Sequence, residues 1–112
     1  MENGIYHVRF ASSIGGAGEG LGVVKDGAVN GGDAGYLYLG QLTAVGQALS
    51  GQLQVQRWNP GTVSVFGPLG NFALDLAGHA DAANDNFTVS GGIAGQPNLK
   101  ITITGRRLAA AA

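Results

Sequence analysis

Between Leu99 and Thr104 the side chains alternate without a break: Leu99, Ile101 and Ile103 are apolar, and Lys100, Thr102 and Thr104 are polar. A period of two sends neighbouring side chains to opposite faces of an extended chain, so this segment predicts a strand with one dry face and one wet face. Tyr6, Val8 and Phe10 alternate with His7 and Arg9 in the same way, and Leu53 and Val55 with Gln52, Gln54 and Gln56. Shorter aromatic and β-branched runs at 36–39, 62–66, 72–76 and 87–89 read as further strands.

The joints between these runs carry turn chemistry. Asp26-Gly27 separates two apolar runs, and Asp-Gly suits a two-residue hairpin that needs positive φ at both central positions. Asn59-Pro60-Gly61, Gly67-Pro68-Leu69-Gly70 and Gly95-Gln96-Pro97-Asn98 punctuate the later segments. Helical signals are sparse. Leu42, Val45 and Leu49 have near-helical spacing but are interrupted by Gly46, and residues 77–86 read as a polar loop with room for one helical turn. About eight short strands in one small domain raise the problem of exposed edges, which a sheet solves by closing on itself. The chain is therefore read as all-β, a small antiparallel up-and-down β-barrel of about eight strands. The barrel spans residues 1–105 and 106–112 form a C-terminal tail expected to fray. Gly20, Gly22, Gly31, Gly32, Gly35 and Gly40 are assigned to strand bending and close strand approach.

The chemistry that the chain can carry is limited. Six Lys and Arg balance seven Asp and Glu for a net charge of −1, which leaves no electrostatic case for nucleic acid or an anionic membrane. There is no cysteine, hence no disulfide, thiolate nucleophile or Cys-based metal site. The glycines of 18–33 do not spell a phosphate loop: from Gly16 or Gly18 the last position of a dinucleotide fingerprint falls on Leu21 or Val23, and Lys25 precedes Asp26 rather than Ser or Thr. The two histidines, His7 and His79, stand far apart. His79, Asp81 and Asp85 share one polar stretch that reads as a solvated loop rather than a metal site. No nucleophile elbow is present. No catalytic residue, cofactor or metal is assigned, and the chain is expected not to be an enzyme. The start Met-Glu-Asn-Gly-Ile-Tyr-His-Val-Arg-Phe lacks the features of a signal peptide, and no apolar run approaches the roughly 18 residues of a membrane span, so a cytoplasmic location is expected. Tyr6, Tyr36, Tyr38 and Trp58 are the candidates for a ligand cavity or a subunit interface, because each joins a large apolar body to a polar tip. With 12% charged residues, the surface favours self-association.

Order and spacing add a resemblance. Gly4-Ile5-Tyr6, Phe10, Ser12, Gly18-Glu19-Gly20, Val24-Lys25, Gly27, Gly31-Gly32-Asp33, Tyr38 and Gly40 resemble the N-terminal half of the GrlR-like negative regulators of type III secretion. Leu53, Val55 and Arg57-Trp58-Asn59 are similar to the next strand of that family. The resemblance implies a lipocalin-like barrel that forms a homodimer and represses by binding a regulatory protein such as a transcriptional activator, without contacting DNA itself. It departs from the family at one place. The stretch 43–51, where an acidic cluster tied to activator binding is expected, holds no charged residue, so no binding residue carries across there. A barrel that binds a small apolar ligand is the alternative function.

Overall fold

The computed structural model describes residues 1–62, 64 and 70–112, with Pro97 by its backbone alone. Eight strands follow one another in chain order: β1 (Gly4–Ser12), β2 (Ala17–Lys25), β3 (Ala28–Gly32), β4 (Tyr36–Val45), β5 (Ala48–Arg57), β6 (Asn71–Asp81), β7 (Asn86–Ile93) and β8 (Gln96–Ala109). Each strand pairs antiparallel with the next, and β8 returns to β1, which closes the sheet into an up-and-down barrel. Among the described residues every strand has a paired neighbour on each side, although Ala17–Gly20 of β2 and Thr43–Val45 of β4 run beyond their pairing with the short β3. No helix among the described residues is long and apolar enough to cross a membrane.

The alternation read from the sequence sets the faces. Leu53 and Val55 of β5 and Ile101 and Ile103 of β8 are buried, while Gln52, Gln54, Thr102 and Thr104 are exposed. Asp26-Gly27 is the β2–β3 turn, with φ of 52° and 83°, so both central residues adopt the left-handed geometry expected of a two-residue hairpin. Asn59-Pro60-Gly61 lies in the turn after β5, where Asn59 Oδ1 accepts from the Gly61 N–H at 3.1 Å. Of the run 62–66, only Thr62 and Ser64 are among the described residues, and Gly67-Pro68-Leu69 lies outside them.

Four local expectations are corrected. Leu42, Val45 and Leu49 belong to a hairpin rather than a helix: Val45 pairs with Ala48 around Gly46-Gln47, and Gly46 supplies the positive φ (62°) that the two-residue turn requires. The uncharged stretch 43–51 is thus two strand ends and a tight turn. Residues 77–81 continue β6, and only Ala82–Asn84 forms a 3₁₀ turn. The β7–β8 turn lies at Ala94-Gly95, and Gln96 already pairs with Ile93. Residues 106–109, expected to fray, are the last rungs of β8: Arg106 pairs with His7, Arg107 with Tyr6 and Ala109 with Ile5. Their backbone groups are held by β1, as closure demands.

The interior combines small with large residues across the strands. Tyr6 lies opposite Gly22, Phe10 opposite Gly18, Tyr38 opposite Gly31, Leu53 opposite Gly40, Leu42 opposite Gly51, Leu49 opposite Gly78, Leu76 opposite Gly91 and Phe87 opposite Gly105. Directly opposed residues share a face, so each of these bulky inward side chains faces a neighbour without a side chain of its own. The result is close backbone approach. A Cβ at Gly40, Gly51, Gly78 or Gly91 would overlap a carbonyl oxygen of the adjacent strand, at Gln52, Gln41, Thr88 and Asp75 respectively, and one at Gly105 would enter the Phe87 ring. Gly20, Gly31, Gly32 and Gly35 are similarly crowded. Gly22, assigned the same role from the sequence, is different: a Cβ there would meet only Val8 Cγ1, at 3.9 Å.

Candidate functional site

Three glycines, Gly18, Gly20 and Gly22, occupy alternate inward positions of β2, so from Ala17 to Val23 this strand places no bulky side chain in the interior, and Val24 is its one large inward residue. Phe10 leans over Gly18, with ring carbons 2.7–3.0 Å from where a Cβ would stand, and its ring meets Tyr38 edge-on at 5.9 Å. The Tyr38 hydroxyl lies 2.9 Å from the Cβ position of Gly20. Nothing covers Gly22 in the same way. A cavity of about 300 Å³ results, walled mainly by apolar side chains that include Val8, Phe10, Val24, Val29, Phe72 and Val89.

Asp33 organises one end of this cavity. It ends the Gly31-Gly32-Asp33 stretch, and one carboxylate oxygen, Oδ1, accepts from the Gly35 and Tyr36 N–H groups, both at 2.8 Å. That is the local turn for which an Asp side chain is suited. The other oxygen, Oδ2, accepts the hydrogen bond of the Tyr38 hydroxyl. The Asp33 carbonyl accepts from Trp58 Nε1 at 3.1 Å, and the Gly35 carbonyl accepts from the Trp58 N–H at 2.9 Å. The β3–β4 turn is thereby tied to the exit of β5. Burial, reinforced by the hydrogen bond to Asp33 and by its charge, raises the Tyr38 phenol well above its ordinary value. Tyr38 is therefore a neutral donor across the physiological range.

The four aromatics singled out from the sequence take different positions. Tyr6, Tyr36 and Tyr38 are buried and line the cavity. Tyr6 packs edge-on against Phe87 at 5.4 Å and donates its hydroxyl to the Glu2 carbonyl at 2.7 Å, away from the Asp33 end. Burial raises its phenol too, although the Arg107 charge opposes this. Trp58 is 54% exposed and does not line the cavity; it braces the Asp33 turn from outside. Sequence reasoning missed the organising role of Asp33 and the inward register of Gly18, Gly20 and Gly22. Both had a local signal: an Asp two residues before a glycine, and glycines spaced by two inside an alternating strand.

The outside of the barrel carries an apolar area over β2, β3 and β4. Leu21 and Leu37 are 49% and 40% exposed and flank Gly32 in one cross-strand row. Val23 and Leu39, half-buried, flank Asn30 in the next row. On β2 this area runs between Glu19 and Lys25. Beside it His7 Nε2 lies 3.0 Å from Glu19 Oε2, and Arg9 Nε 4.0 Å from the same oxygen, an exposed group at which ion pairing contributes little. His79 and Asp81 stand on β6, and no group of three or more potential metal ligands occurs among the described residues.

No curated protein matches this chain. The family model GrlR, described as a T3SS negative regulator, matches residues 1–111. The match runs from β1 through the last rungs of β8 and so takes in every strand of the barrel. With the fold closed over that same span, the chain belongs to the GrlR family of type III secretion negative regulators.

Proposed function

We propose that this chain represses type III secretion by contact with a regulatory protein partner such as a transcriptional activator, acting in the cytoplasm as a homodimer. GrlR is a family of regulators and not of enzymes. The observation that carries the proposal is the exposed apolar row Leu21–Gly32–Leu37, extended by Val23 and Leu39. A closed barrel leaves little edge through which to recruit a partner strand, so contact with a protein favours side-chain faces, and an apolar area framed by charge is the kind of surface that proteins cover. The uncharged Gly46-Gln47 turn offers a basic partner no acidic contact of its own.

The test is the double variant Leu21→Lys/Leu37→Lys. Both side chains point outward, so the barrel should keep its circular dichroism spectrum and melting temperature within about 3 °C. Light scattering should report a dimer for the parent and a monomer for the variant, and a secretion-gene reporter should be repressed by the parent alone. A variant that folds and still represses fully would show that this face is not the contact surface. A parent that is monomeric at micromolar concentration would refute the dimer.

A further inference from the structure

The interior cavity takes no part in that outer contact. We propose that it is a binding site for one uncharged, largely apolar small molecule of about a dozen heavy atoms, scaling from the roughly 150 Å³ apolar cavity that accepts one benzene. The volume of about 300 Å³ falls at the lower end of the range of small-molecule sites. Its shape follows from the bare inner face of β2, because Phe10 and Tyr38 cover Gly18 and Gly20 and leave the space beside Gly22 open. Among the described residues, no buried side-chain nitrogen or oxygen lacks a hydrogen-bond partner, so the enclosed walls ask for no charge.

The ends of the cavity define the ligand further. Asp33 is the charged side chain that faces it, since the Glu19 carboxylate is turned outward to His7 and Arg9, and no Lys or Arg lines it among the described residues. A carboxylate or sulfonate drawn inside would lose its hydration and meet like charge without a cationic partner. A hydroxyl or neutral amine, by contrast, can donate to the Asp33 carboxylate, which already accepts from Tyr38. The site therefore selects neutral apolar alcohols and amines over fatty acids of the same length.

The experiment is a fluorescence titration of the full chain with 1-aminoanthracene, followed by displacement with 1-decanol or decanoate at neutral pH. Saturation at one dye per chain is expected, with 1-decanol displacing it at a concentration at least ten-fold lower than decanoate. Gly22→Leu fills the space and should weaken dye binding at least ten-fold without lowering the melting temperature. Gly22→Val, a smaller and β-favouring filler, serves the same purpose should the leucine variant fail to fold. Leu21→Lys/Leu37→Lys should bind the dye as the parent does, which separates the cavity from the outer apolar face. The proposal is overturned if the folded parent does not enhance the dye, if decanoate competes as well as 1-decanol, or if the folded Gly22 variants bind like the parent.

Discussion

Alanine at Gly22 and alanine at Gly91 are the same chemical change on inward positions of two strands, and the structure gives them opposite signs. At Gly22 the backbone is not in the left-handed region, and the new Cβ meets only Val8 Cγ1 at 3.9 Å, an ordinary contact. Restricting the unfolded chain contributes about 0.4–1 kcal/mol, and the methyl group enters open space with no strain to offset this. Gly22→Ala should therefore stabilise the barrel by about 0.5–1.5 kcal/mol. At Gly91 the Cβ would overlap the Asp75 carbonyl oxygen and stand 3.2 Å from Leu76 Cα, both backbone atoms of β6. Neither can swing away as a side chain would. β6 and β7 must separate locally, at an overpacking cost of about 1–3 kcal/mol plus about 1 kcal/mol for each ladder hydrogen bond stretched. Gly91→Ala should thus destabilise by about 2–4 kcal/mol. Urea unfolding followed by far-ultraviolet circular dichroism, with a common m-value, measures both. Equal stability of Gly91→Ala and the parent would refute the reading of interior glycines as points of backbone contact. A Gly22→Ala variant destabilised by more than about 1 kcal/mol would refute the open space beside β2.

Three further outcomes follow from the same geometry. Asp33→Ala removes the acceptor for the Gly35 and Tyr36 N–H groups and for the Tyr38 hydroxyl, and should cost about 2–4 kcal/mol by urea unfolding; a double-mutant cycle with Tyr38→Phe should show coupling of about 1 kcal/mol or more, and strict additivity would contradict the shared hydrogen bond. The Tyr38 phenol is raised in the folded state, so the unfolded chain gives up its proton first and stability is lost as pH rises above about 10, with a slope of up to about 1.4 kcal/mol per unit. Melting curves between pH 9 and 11 should fall less steeply for Tyr38→Phe than for the parent, and identical slopes would remove Tyr38 as the source. Gly27→Val, placed at φ 83° in the β2–β3 turn, should cost about 1–3 kcal/mol, whereas Gly27→Asn should cost less than about 1 kcal/mol; thermal unfolding ranks the two.

Much of the fold is legible in local pattern because strand faces are a local property. The alternation at Tyr6–Phe10, Leu53–Val55 and Leu99–Ile103 assigns inward and outward residues from the pleat alone, and Asp26-Gly27 marks its turn through backbone sterics. The hairpin at Gly46-Gln47 was less legible, since Leu42, Val45 and Leu49 fit a helical spacing as well as alternate positions on two strands. Only pairing of Val45 with Ala48 and of Leu42 with Gly51 separates these readings. The end of β8 was obscured for a related reason. Arg106-Arg107-Leu108 carries no pattern of its own, and its order comes from backbone bonds to β1, about a hundred residues earlier in the chain.

The candidate site divides along the same line. Read alone, the sequence indicates an all-β barrel without thiol chemistry, puts Tyr6, Val8 and Phe10 on one alternating face, and carries ordered Gly, Tyr and Trp pieces that resemble the GrlR regulators. Composition and spacing two residues apart are enough for the first two, and the order of the pieces along the chain carries the resemblance. Tertiary structure alone decided that Gly18, Gly20 and Gly22 face inward together, that Asp33 ties its own turn, Tyr38 and Trp58 into one unit, and that Leu21 and Leu37 meet across Gly32 on the outside. These relations depend on the register between strands and on the way the barrel closes, and register is a relation between distant segments rather than a property of either one.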